Sequence, residues 1–178
     1  MTHTKKTALC GVFTGLSLAL MWMGSLVPSM EYVLPATAGV LMFALVIELG
    51  PLWPTGVYVA TSILSALLLP NKTIALFYIA FFGGYPLLRW LFAKKLPAWL
   101  ALILKFAVFN ATMIAAYYLA VFVFGIELSD LGAFGRYAEI IMLALGNLSF
   151  ALYDLMILSS FEALYKKRWR KRLNHLLK

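Results

Sequence analysis

Charge is what this chain has least of. Charged residues make up 12% of its 178 residues, against about 25% in a typical soluble domain. Acids are scarcer still, at 7 against 15 Lys and Arg. One cysteine, Cys10, excludes an intramolecular disulfide. The two histidines, His3 and His175, lie in the tails, so no His/Cys set has metal-ligand spacing. The chain has no Gly-x-Ser-x-Gly elbow, no phosphate loop and no acid–histidine set. No catalytic residue, no metal and no cofactor is therefore expected.

What is present is apolar, at 63% of the chain. The apolar residues gather into six runs, at about Ala8–Val27, Val33–Leu49, Trp53–Leu69, Thr73–Ala93, Ala98–Phe124 and Tyr137–Tyr165. A membrane-crossing helix needs about 20 such residues. The pattern predicts an all-α polytopic membrane protein of six transmembrane helices, forming one domain over 1–178. Lys5 and Lys6 before the first run look like the start of a signal peptide. That run is too long for a signal h-region and no small-residue cleavage site closes it, so an uncleaved first helix is expected.

Basic residues set the expected orientation. They occur in the N-tail (Lys5, Lys6), around the fourth loop (Arg89, Lys94, Lys95) and in the C-tail (Lys166, Lys167, Arg168, Arg170, Lys171, Arg172, Lys178). The positive-inside rule then makes both termini cytoplasmic. The basic tail at 166–178 suits anionic lipid headgroups, at about 1 kcal/mol per cation near the surface. No folded domain is left over to present it to nucleic acid.

Polar and small residues inside the runs carry the remaining information. Thr7, Gly11, Gly15 and Ala19 recur every four residues and form a smooth stripe on the first helix. The stripe fits close packing, either within the bundle or against a separate membrane protein. Gly50-Pro51 with Pro54 predicts a tight hairpin between spans two and three. Phe81-Phe82-Gly83-Gly84-Tyr85-Pro86 predicts a break in span four. Lys105 and Asp154 match in depth on adjacent antiparallel helices and are candidate partners. Lys105 lies about 140° around the helix from Asn110, so the two face different neighbours, and snorkelling to the interface is the rival fate for Lys105.

A second polar set falls at the outer ends of the helices. It comprises Glu31 and Tyr32 in the first loop, Lys72 in the third, Tyr117 and Tyr118 in span five, and Glu139 in span six. Asn110 and Asn147 would form a floor near mid-membrane. Tyrosine offers an apolar face with a hydroxyl, which suits a vitamin-like small molecule. Tyrosine is also common at any membrane interface, which is the plainer account.

Six spans in this length, two cytoplasmic ends and the Thr7, Gly11, Gly15, Ala19 stripe resemble the substrate-binding S component of energy-coupling factor (ECF) vitamin transporters. The resemblance rests on layout over nearly the whole chain, and glycines at 11 and 15 replace the family's usual alanines. It implies a multi-pass subunit of a bacterial plasma membrane that binds a micronutrient and is not an enzyme. Gly11, Gly15 and Ala19 would dock a membrane coupling subunit, and separate ATPase subunits would supply energy. Substrate contacts would come from Glu31, Tyr32, Lys72, Tyr117, Tyr118, Glu139 and Asn147. A membrane scaffold of the MreD type and an ion-coupled small carrier are the alternatives, the latter leaning on Asp154 and Lys105.

Overall fold

The computed structural model describes residues 2–124, 138–159 and 163. Its elements are helical, with no strand among the described residues. They run α1 (His3–Leu26), a 3-10 turn at Pro28–Met30, α2 (Val33–Leu49), α3 (Leu52–Leu68) and α4 (Lys72–Phe77). A π-helical turn at Tyr78–Phe82 leads into α5 (Tyr85–Lys95), then α6 (Ala98–Phe124), α7 (Ala138–Ala151) and a π-helical stretch at Leu152–Leu158.

Three helical stretches are long and apolar enough to cross a membrane: His3–Leu26, Lys72–Lys95 and Ala98–Leu119. Val33–Leu49, Leu52–Leu68 and Leu143–Leu155 are shorter apolar helices. The 17 residues of α2 span about 26 Å at 1.5 Å per residue, slightly under a hydrocarbon core of about 30 Å. The basic tail at 166–178 lies outside the described residues.

The hairpin between α2 and α3 forms as its residues require. Gly50 takes φ +74°, the left-handed region that a side chain disfavours. Its N–H donates to the Val46 carbonyl at 3.0 Å, and Pro51 then opens α3. At the same end, His3 tilts against Trp53 with ring centroids 5.7 Å apart. Lys6 Nζ lies 5.7 Å from the same indole. The start of α1 and the α2–α3 hairpin therefore share one end of the bundle.

The fourth span is broken as expected. Its backbone leaves α-geometry at Tyr78, turns through Gly83-Gly84 and resumes with Pro86 in the first turn of α5. A π turn leaves a carbonyl without its usual partner. Here the Tyr58 hydroxyl donates to the Ile79 carbonyl at 2.7 Å. This supplies from α3 the bond that lipid cannot.

The aromatic part of the core lies between α2, the broken span, α6 and α7, and smaller clusters fill the space against α1 and α3. Phe43, Phe81, Tyr85, Phe109, Phe150 and Tyr153 form one buried aromatic cluster. Phe109 and Phe150 stack across α6 and α7 with centroids 4.7 Å apart, while Phe81 meets Phe150 edge-on at 5.4 Å. Gly39 lets α2 approach this cluster. A Cβ there would stand 2.6 Å from the Tyr153 hydroxyl and 2.7 Å from the Phe82 carbonyl oxygen.

Candidate functional site

Asp154 is the most heavily engaged polar residue described. It is buried, in the π-helical stretch after α7. Lys105 Nζ on α6 donates to its Oδ2 at 2.8 Å, so Lys105 pairs inward instead of snorkelling. Tyr85 donates its hydroxyl proton to Oδ1 at 2.5 Å. Arg89, also on α5, forms an ion pair with the same oxygen. Arg89 further donates through Nη1 to the Asp154 carbonyl at 3.3 Å and through Nη2 to Ser159 Oγ at 3.2 Å. Its guanidinium lies 5.3 Å from the centre of the Phe43 ring.

In the sequence Lys105 and Asp154 stand out as candidate partners, whereas Arg89 reads only as a cation marking the cytoplasmic side. The available signal was the spacing of Tyr85 and Arg89. Four residues apart on a helix, they share a face. Both project from α5 beyond the break, so the break aims them at Asp154.

The asparagines expected as a pocket floor meet each other. Asn110 Nδ2 donates to Asn147 Oδ1 at 2.9 Å, and Asn147 Nδ2 returns a bond to Asn110 Oδ1 at 2.8 Å. Each amide also donates to a carbonyl one turn back, Phe106 and Leu143 respectively, at 2.8 Å. Every side-chain N–H of both amides is thus engaged.

The loop residues form a separate group. Glu31 Oε1 accepts from Asn71 Nδ2 at 2.9 Å. Asn71 Oδ1 in turn accepts from the Thr73 N–H at 3.0 Å and caps α4. Lys72 Nζ donates to the Ala66 and Leu69 carbonyls at 2.8 and 2.9 Å. It closes the C-terminal end of α3, where a cation also suits the helix dipole. Tyr32 lies edge-on to Phe77 with centroids 5.0 Å apart. Partial burial, then the neighbouring Glu31 charge, raise its hydroxyl pKa above the ordinary tyrosine value.

Tyr117 and Tyr118 are exposed on α6, their ring centroids 5.5 Å apart. Tyr118 also stacks near Phe122 at 6.2 Å. Glu139 lies in the first turn of α7, and its side chain is outside the described residues. The structure therefore joins Glu31 to Asn71 beside Lys72, and Asn110 to Asn147, as two distinct polar groups.

On α1, Thr7, Gly11, Gly15 and Ala19 are all exposed. A Cβ on Gly11 or Gly15 would meet nothing within 4 Å. The buried face of α1 is a different one, carrying Ser17, Met21 and Gly24 against the rest of the bundle. Among the described residues, nothing of the bundle packs against the stripe at Gly11 or Gly15. Among the described residues, no group of three or more His, Cys, Asp or Glu could hold a metal ion.

The fold and these polar groups define a helical protein with apolar helices compatible with a membrane. Comparison with protein families, with characterised proteins and with solved structures finds no match.

Proposed function

We propose that the chain is the substrate-binding S component of an ECF-type transporter, crossing a bacterial plasma membrane six times with both termini cytoplasmic. It captures a small vitamin-like molecule from outside. It performs no chemistry itself, and a membrane coupling subunit with ATPases drives uptake. The observation that carries this reading is the uncovered stripe. Lipid gives helices no hydrophobic reason to associate, so small residues four apart serve where two backbones approach closely. Among the described residues no helix makes that approach at Gly11 or Gly15, so the stripe is open to a second membrane protein. The Glu31–Asn71 group at the opposite end suits capture of a polar ligand from the other side.

Replacing Gly11 and Gly15 together with leucine tests the reading. Co-purification with a coupling subunit should be lost, while a small molecule retained in native mass spectrometry should remain. Loss of that small molecule as well would assign the stripe to the bundle's own packing. The ion-coupled carrier is the second reading, favoured by the buried Asp154 cluster. It requires uptake into vesicles without ATP, and uptake that depends wholly on an ATPase excludes it.

A further inference from the structure

Away from both polar groups, three hydroxyls are buried without a hydrogen-bond partner: Thr61 Oγ1, Ser62 Oγ and the Tyr78 hydroxyl. Thr61 and Tyr78 are wholly buried, at 0% exposure. They sit where α3 faces the π-helical turn. Thr61 lies beside the Tyr78 hydroxyl without reaching hydrogen-bond geometry. Ser62 lies beside the Tyr58 hydroxyl, whose own proton goes to the Ile79 carbonyl. The Tyr58 and Tyr78 rings are 6.4 Å apart. Gly83 admits both, since a Cβ there would stand 2.7 Å from Tyr78 Cζ and 2.8 Å from Tyr58 Cδ2.

Unpaired hydroxyls are costly in a protein interior, and in a membrane no bulk solvent relieves them. Their chemistry selects the missing partner. Each hydroxyl both donates and accepts, so the partner must do both. It must also be neutral: the buried acid of the core, Asp154, is already engaged by Lys105, Arg89 and Tyr85. A cation here would lose its hydration without a counter-charge. Water meets both conditions.

We propose that Thr61, Ser62 and Tyr78 hold bound water, which ties α3 to the irregular turn of span four. Water at a departure from α-geometry is a recognised way of satisfying a helix there.

Solid-state NMR on the full chain in lipid bilayers, with magnetisation transferred from water, reads this directly. Transfer to Thr61 and Tyr78 should be strong, and Thr61→Val should reduce it at Tyr78 several-fold. Tyr78→Phe and Thr61→Val should each lower Tm by roughly 2–4 °C, the shift expected of a chain this size for one lost hydrogen bond. Their combination should cost less than the sum. Absence of transfer at Thr61 and Tyr78 overturns the proposal. If Thr61→Val leaves transfer at Tyr78 unchanged, the shared water is refuted. A Tm that rises in Tyr78→Phe would show the hydroxyl to be a true orphan and refute it too.

Discussion

Helices α6 and α7 are fastened twice, by opposite means. Asn110 and Asn147 close a neutral ring of two amides that needs no third residue. Lys105 and Asp154, further along the same two helices, form a charged contact that Tyr85 and Arg89 complete from α5. The amide pair fixes two helices. The ionic cluster fixes those two to the broken span, and it does so with charge that cannot be left alone in a core. Nearly the same interface is self-contained at one level and dependent on a third helix at the other.

The largest effect should come from removing the charge on which the cluster converges. Asp154→Asn keeps an acceptor for Tyr85 but removes the carboxylate that Lys105 and Arg89 share, and should cost about 3–5 kcal/mol in detergent unfolding. An unchanged unfolding midpoint would mean the ion pairs contribute nothing. Next comes the amide ring. Asn110→Leu leaves the Asn147 amide with only its bond to the Leu143 carbonyl and should cost about 1–3 kcal/mol, whereas Asn110→Leu with Asn147→Leu should recover most of that loss. The matching double replacement of Lys105 and Asp154 by leucine should recover less, because it also removes the ion pair and the hydroxyl bond that α5 makes to Asp154. Equal recovery in both pairs would erase the distinction between them. Smallest is Gly11→Ala, at a helix face with open space, which should stabilise the isolated chain by no more than about 1 kcal/mol. A clear destabilisation there would place α1 against some part of its own chain.

Much of this was legible in the sequence. Runs of apolar residues located the helices, because in a membrane-type chain the polar gaps leave little else to choose. Lys105 and Asp154 could be paired by depth on antiparallel helices. Arg89 could not, because five residues before Lys94 a cation reads as interfacial. Only the π turn and the Gly83-Gly84 bend aim it inward. The role of Lys72 was hidden for a related reason: its partners are the Ala66 and Leu69 carbonyls, and a sequence does not display where backbone oxygens are left exposed. Spacing alone revealed the stripe, but whether Gly11 and Gly15 faced inward or outward depended on which other face of α1 the bundle buried. The unpaired hydroxyls of Thr61 and Tyr78 were likewise invisible, since ordinary span residues acquire that status only through what packs around them.

The one-sided burial of α1 also bears on how the molecule is made. Its buried face packs chiefly on α2 and α3, the two helices that follow it directly. A chain synthesised from its N-terminus presents these three helices to one another before the broken span has emerged. The hairpin at Gly50-Pro51 brings α3 back alongside α2 without any later element. The first half of the molecule thus holds its own packing partners, with none of the charged residues of the second half needed to form it.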